Sequence, residues 1–297
     1  MPLWGAARGF IPTETLVSAV KHCDAEALFP LWEALLSAER RGEVVEKCPA
    51  LLNDLLAWVG GTSAHSAPRN RLENHDALSA MGCLTSLLDS EEVMEMRQVA
   101  DVPSILVMRP LFYAHDRAAA QGLQLLRKLT DGDDAKSIKY ATSIADKWPR
   151  LLKRFAAPHE EWLPGPRSDL AAVLRAVIEA SEDTAVAAAK AGAASTIVER
   201  LVQLRATDES PKAAHDETVD LLICVRHILG VYLKVPREGP ALDAAESDVL
   251  FGVVTTLLKD RSDARARGEA AGVRCRAVGS RAWSVRARVV REHVSHV

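Results

Sequence analysis

The chain has 297 residues, of which 48% are apolar and 26% charged, and a formal net charge of −3, values ordinary for a folded globular protein. This composition excludes a mainly disordered chain, a collagen and a small disulfide-stabilised protein. Aromatic residues make up only 5% of the chain. Because aromatics are enriched in strands, whereas the abundant Ala and Leu favour helices, the composition predicts a mostly helical protein.

The cysteines are widely separated, and none belongs to a C-x-x-C motif. Such spacing is typical of reduced thiols rather than of a disulfide framework. The first residues lack the basic start and apolar run of a signal peptide, and no stretch approaches the roughly 20 apolar residues of a membrane helix. We therefore expect a cytoplasmic or nuclear protein without a membrane anchor. The five cysteines are Cys23, Cys48, Cys83, Cys224 and Cys275.

Four short segments share one pattern, in which Pro or Ser is followed two positions later by two apolar residues. They lie at residues 49–52, 103–106, 149–152 and 195–198. Pro is tolerated in the first turn of a helix because the N–H groups there have no intrahelical partner. Apolar residues then recur at spacings of three and four, as on one face of a helix. The segments start 54, 46 and 46 residues apart, which indicates an internal repeat.

We call the helices predicted at these four segments the Pro-type helices. Further helices are predicted before and after them. A Ser or Gly followed by two acids precedes three of them, at residues 90–92, 132–134 and 181–183. A Ser N-cap and acids in the first turn stabilise the start of a helix, so a further short helix is predicted at each. A longer helix rich in Ala and Leu is predicted after every Pro-type helix. The predicted long helices are 77–88, 118–130, 169–180 and 217–233.

The recurring order of short, Pro-type and long helix has a period of 42 to 54 residues. Such a period is typical of an α-solenoid, in which stacked neighbours bury the apolar faces that one helix trio cannot bury alone. We therefore predict an all-α fold, a right-handed α-solenoid.

Two segments resemble the patterns of armadillo repeat proteins, with HEAT repeats as the close relative. Residues 190–202 are similar to the second helix of an armadillo repeat, and residues 77–84, Ala-Leu-Ser-Ala-Met-Gly-Cys-Leu, are similar to its third helix. The resemblance covers about residues 16–259 and implies an armadillo-like superhelix. We accordingly assign residues 13–260 to one helical-repeat domain.

The resemblance does not extend to the importin-α type of armadillo protein. That type carries Trp on its third helices with Asn four residues later, a pair that clamps the backbone of an extended peptide. Here Ser79 and Cys83 stand at the matching positions, and each Trp is followed four residues later by a residue other than Asn. A regular backbone clamp, and with it a nuclear-import adaptor, is therefore disfavoured.

The basic tail, residues 261–297, differs from the rest of the chain. It carries nine Arg, no Lys and three acids, which leaves the preceding residues with a net charge of −9. No apolar period is sustained along the tail, so we expect a loosely ordered or disordered segment, or a gene-model artefact. The alternative is a basic arm for nucleic acid or acidic lipid, although no aromatic residues are arranged beside the Arg side chains for base stacking.

The sequence contains no recognisable catalytic or cofactor motif. No GxxxxGK[ST] or GxGxxG phosphate loop and no GxSxG nucleophile motif occurs. The His and Cys residues lack metal-ligand spacing. Cys224 and His227 lie three residues apart on one predicted helix, but no third group orients the imidazole, and a buried thiol is the ordinary explanation. We therefore expect no enzyme activity, no cofactor and no metal.

The concave face of a solenoid is lined by one helix of each repeat, which in armadillo proteins is the third. The polar residues of those helices are our candidates for a groove that binds a partner protein, and the cations Lys128, Arg175 and Arg226 predict acidic partner residues. The expected function is a non-enzymatic protein-interaction scaffold. Alternatives are a structural segment of a larger helical-repeat assembly, or a nucleic-acid-associated protein that uses its tail. The candidate groove residues are Ser79, Cys83, Gln121, Gln124, Lys128, Arg175, Arg226 and His227.

Overall fold

The structure, a computed structural model, contains helices and no strand in the part of the chain that it describes. The predicted all-α class is confirmed for these residues. The chain divides into two compact units, Met1–Leu129 and Thr130–Val297. This division falls inside the range 13–260 that the sequence assigned to one domain. The structure describes residues 12–22, 24–48, 50–60, 74–94, 97–108, 117–157, 166–206, 211–234, 244–259 and 264–279.

The first unit is built from helices of 4 to 14 residues, with short 3₁₀ turns before the second and seventh of them. In chain order they are α1 (Thr13–Lys21), α2 (Leu28–Leu35), α3 (Ala38–Lys47), α4 (Leu51–Gly60), α5 (Asn74–Leu87), α6 (Glu91–Met94), α7 (Val102–Met108) and α8 (Arg117–Thr130).

The centre of the first unit is the packing of α2 and α4 against α5. Apolar residues at spacings of three and four bring one face of each helix into this contact. Gly82 on α5 permits a close approach, because a Cβ atom there would lie 2.4 Å from two ring carbons of Trp32 on α2. The fully buried side chains of these three helices include Leu28, Leu31, Leu35, Leu51, Leu55, Met81 and Leu84.

The second unit contains longer helices, the longest with 24 residues. In chain order they are α9 (Ala135–Ser143), α10 (Trp148–Phe155), α11 (Pro166–Ala180), α12 (Glu182–Lys190), α13 (Ala193–Ala206), α14 (Pro211–Lys234), α15 (Ala244–Lys259) and α16 (Ala264–Gly279). Helix α14 is central, since α11, α12, α13 and α16 all pack against it.

The starts of the short helices in the second unit follow from local side-chain chemistry. Asp134 is the N-cap of α9, and its carboxylate accepts hydrogen bonds from two backbone N–H groups of the first turn. Ser181 and Thr184 form a reciprocal capping box at the start of α12. Pro149 lies in the first turn of α10, and Gly192 takes a left-handed φ of 80° between α12 and α13. The predicted acid-led and Pro-type starts are thereby confirmed in this unit.

A buried ion pair joins α13 to α14. The Arg200 guanidinium donates from Nε to Oε1 of Glu217 at 2.7 Å and from Nη2 to Oε2 at 3.0 Å. The two side chains are 4% and 2% exposed. Such a bidentate ion pair compensates both charges in the buried interior. Removing either partner would leave the other charge buried without a counter-charge.

All four predicted long helices are present, as α5, α8, α11 and α14. The apolar residues of the Pro-type segments lie in α4, α7, α10 and α13. Of the acid-led starts, the first gives α6, a helix of only four residues. Helices are therefore present at these predicted positions and in the predicted chain order within the described residues, although α13, with 14 residues, is as long as α5 and α8.

The expectation of a loosely ordered tail is wrong for residues 264–279. They form α16, which packs against α14 and α15. Ala266, Ala270 and Val273 are at most 2% exposed, and they follow one another at helical spacings of four and three. The buried stripe consists of small residues, so it gives little hydrophobic signal in the sequence. Residues 280–297, the rest of the predicted tail, lie outside the described residues.

Candidate functional site

Two of the predicted groove residues belong to the core of the first unit. Ser79 and Cys83 on α5 are 1% and 0% exposed. The Cys83 thiol donates to the carbonyl of Leu28 at 3.4 Å, and burial raises the pKa of this thiol well above its usual range. A side chain without solvent access does not contact a partner, so the prediction is wrong for these two residues.

The three groove candidates on α8 have different surroundings. Gln124 and Lys128 are exposed, one helical turn apart. The Lys128 ammonium forms an ion pair with Asp89 of the same unit. Gln121 is half-buried, and its Oε1 has no hydrogen-bond partner within the described residues. Of the three candidates on α8, one neutral and one already paired side chain are thus exposed to solvent.

Two of the three candidates in the second unit, Arg175 and His227, belong to one ion-pair network. Arg175 on α11 forms ion pairs with Asp131, which follows α8 in the chain, and with Asp220 on α14, at 2.8 Å from Nε to Oδ1. It also donates from Nη1 to Glu179, one turn along α11, at 3.1 Å. His227 on α14 places Nε2 3.3 Å from Oε1 of Glu179. Arg175 and Glu179 therefore connect α11 to α14 at two points.

The third candidate, Arg226, belongs to a separate ion pair that joins α14 to α16. Arg226 Nη1 lies 2.8 Å from Oε2 of Glu269. The Arg226 side chain is 28% exposed and that of Glu269 20%, so the pair lies at the edge of the solvent. We call the set Asp131, Arg175, Glu179, Asp220, Arg226, His227 and Glu269 the polar row. It crosses three adjacent helices, α11, α14 and α16.

The electrostatics of the polar row are dominated by carboxylates. The hydrogen bond from His227 lowers the pKa of Glu179, with a further contribution from Arg175. Burial alone would lower the pKa of Arg175, but the nearby charges of Asp220, Asp131 and Glu179 outweigh it and raise that pKa. Both groups therefore stay ionised at neutral pH.

The row contains four carboxylates and two guanidinium groups, so it is net acidic. This overturns the reasoning that Lys128, Arg175 and Arg226 favour acidic partner residues. Each of these cations already contacts a carboxylate of its own unit. A charge that is compensated in this way has little attraction left for a further anion.

Five of the seven members of the row lie on the predicted long helices 169–180 and 217–233, and the sequence missed the other two. The groove candidates Arg175, Arg226 and His227 are among the five, whereas the other candidates belong to the first unit. Asp131 was missed because it follows the predicted long helix instead of lying on it. Glu269 was missed because it belongs to the segment expected to be loosely ordered.

The row forms neither a metal-binding cluster nor a Cys–His pair in the part of the chain that the structure describes. Among the described residues, no three His, Cys, Asp or Glu side chains are placed to hold a metal ion. Cys224, three residues before His227, is fully buried, and desolvation raises the pKa of its thiol. The imidazole of His227 contacts Glu179 instead. A Cys–His nucleophile pair is therefore not formed here.

No helix in the described part of the chain is long and apolar enough to cross a membrane. Comparison with known proteins found no match to any family profile and none to a curated protein.

Proposed function

We propose that this protein is a non-enzymatic protein-interaction scaffold of the cytoplasm or nucleus, built as an armadillo-like right-handed helical array. The observation that supports a binding role is the polar row. Partly exposed charged side chains form ion pairs from α11 to α14 and from α14 to α16 in one unit. Partly exposed charges on neighbouring helices can contact a partner segment laid across those helices.

In this proposal the partner binds as a segment laid across α11, α14 and α16. The carboxylate excess favours Lys or Arg in that segment. Each exposed ion pair contributes only about 0–1 kcal/mol, so affinity must be spread over several contacts. Electrostatic complementarity acts mainly on the association rate and on partner choice, which makes binding sensitive to ionic strength.

The test begins with proximity labelling in cells to identify partners, followed by binding measurements with the purified partner. The triple variant Asp131→Asn, Glu179→Gln and Glu269→Gln removes three negative charges from the row. We expect it to weaken binding several-fold at low salt while the far-UV spectrum keeps its helical shape. The matched control is Glu199→Gln, since Glu199 is exposed on α13 of the same unit but lies outside the row.

Unchanged partner affinity in the triple variant would contradict the assignment of the groove. Stable co-purification as part of a large complex, insensitive to salt, would instead favour the structural-segment alternative. Turnover of a substrate by the purified protein would contradict the non-enzymatic part of the proposal.

A further inference from the structure

Helix α2 of the first unit carries an exposed apolar stripe. Phe29 is 42% exposed and Leu36, the C-cap residue, 64%, and Trp32 between them is half-buried. These residues stand at positions i, i+3 and i+7, which share one face of a helix. We call this set the α2 stripe. Other exposed large apolar side chains in the described residues occur singly on their helices: Met108, Ile138, Val202 and Val249.

The α2 stripe is held in a fixed position. The indole of Trp32 packs against α5 at Gly82, where a Cβ atom would overlap it. The rings of Phe29 and Trp32 meet edge to face, with centroids 6.1 Å apart and planes at 88°. Arg41 donates to the carbonyl of Leu36 at 3.2 Å and so ties down the end of the helix. Preorganised apolar anchors lose little conformational entropy when a partner covers them.

The flanks of the α2 stripe are acidic. Glu26, Glu33 and Glu39 are exposed. Glu33 lies four residues after Phe29, and therefore beside the stripe on the same face. The guanidinium of Arg41, a nearby cation, donates to the backbone carbonyls of Leu35 and Leu36. A second copy of the chain would present the same acidic flank, so self-pairing would bring like charges together.

We propose that the α2 stripe docks an amphipathic helix of a partner protein, whose apolar face is flanked by Lys or Arg. A helical surface offers no free strand edge, so a partner binds through side chains, as one helix packs on another. From Phe29 to Leu36 the stripe extends about 10 Å, or two helical turns. Exposed aromatic and aliphatic anchors beside a charged rim are the pattern of a binding hot spot. This surface belongs to the first unit alone and does not depend on the polar row.

The probes are two synthetic amphipathic peptides of about 15 residues, long enough for three to four helical turns. They share one Leu face and differ only in their flanks, which are Lys in one and Glu in the other. Fluorescence anisotropy with the full chain measures their affinities. We expect the Lys-flanked peptide to bind at least about tenfold more tightly than the Glu-flanked one.

Three variants locate the site. Phe29→Ser combined with Leu36→Ser should weaken binding of the Lys-flanked peptide at least about tenfold, and Leu36→Ser alone should weaken it less. Glu26→Lys combined with Glu33→Lys should reverse the preference between the two peptides. The matched control, Ile138→Ser, removes an equally exposed apolar side chain from the second unit and should leave both affinities unchanged.

Three results would overturn the proposal: equal or absent binding of the two peptides, binding that the Phe29 and Leu36 substitutions leave intact, or an unchanged preference after charge reversal. Sedimentation of the unliganded chain supplies one more. Self-association that Leu36→Ser abolishes would show that a second copy covers the stripe. A partner affinity lost on changing the polar row but not the stripe would uphold the proposed function and refute this inference.

Discussion

Replacing Gly82 by Ala places a methyl group where the indole of Trp32 lies. The added Cβ would be 2.4 Å from Cδ2 and Cε2 of Trp32 and 2.8 Å from Nε1. Carbon atoms in contact ordinarily lie about 3.5–4.0 Å apart, so the indole or α5 must move by more than about 1 Å. Overpacking of this kind costs about 1–3 kcal/mol, which exceeds the roughly 1 kcal/mol that Ala gains over Gly inside a helix. We expect a net loss of stability.

The matched control is Gly42→Ala in α3, where the added Cβ meets no atom within 4 Å. With no clash, only the helix propensity acts, and this variant should gain up to about 1 kcal/mol. Urea unfolding followed by circular dichroism compares the two variants with the unchanged chain. The indole N–H resonance of Trp32 reports the local displacement. A Gly82→Ala variant as stable as Gly42→Ala, with an unshifted Trp32 resonance, would refute the packing described for α2 and α5.

Three further predictions concern the second unit. Arg200→Ala or Glu217→Ala alone should lower the free energy of unfolding, measured in urea, by about 3–5 kcal/mol. Replacing both, as Arg200→Met with Glu217→Leu, should lower it far less, and equal losses would refute the pairing. Ending the chain after residue 259 removes α16 and should lower the melting temperature by about 5–10 °C, whereas ending it after 279 tests whether the remaining tail matters. Asp134→Ala should cost about 1 kcal/mol at pH 7 and Asp134→Asn much less, by thermal melts. The hydrogen bond from the hydroxyl of Ser137 lowers the pKa of Asp134 in the folded protein. The stability that the ionised carboxylate contributes is therefore present above the unfolded-state pKa and is lost as the pH falls through the folded-state pKa. The loss of stability caused by Asp134→Ala should accordingly become smaller in acid.

The helices could be predicted because their signals are local. Ser181 marks a helix start through hydrogen bonds within the first turn, and Pro149 through its fixed φ and missing N–H, and both starts are where the sequence placed them. The long helices follow from Ala- and Leu-rich stretches bounded by polar residues. Neither prediction requires knowledge of which helix packs on which.

The site could be predicted only in part, because its contacts are tertiary. Arg175 and Asp131 are 44 residues apart in the chain, and nothing in the sequence indicates that they pair. Polarity was taken as a sign of exposure for Ser79 and Cys83, although a small polar side chain inside a helix can be buried when a nearby carbonyl accepts its hydrogen bond. Helix α16 was missed for the opposite reason. Its buried face consists of small residues such as Ala266 and Ala270, which are only weakly hydrophobic.

The late position of α16, the last helix in the described part of the chain, has a consequence during synthesis. Helix α14 is covered on one side by α16, and Val219 and Ile223 of α14 are buried together with Ala266. Roughly 45 residues separate the end of α14 from the end of α16. At about 5–20 residues per second, the ribosome needs several seconds to supply them. For that interval the nascent chain exposes an apolar surface that the finished protein hides, and a chaperone that recognises such surfaces has time to bind it.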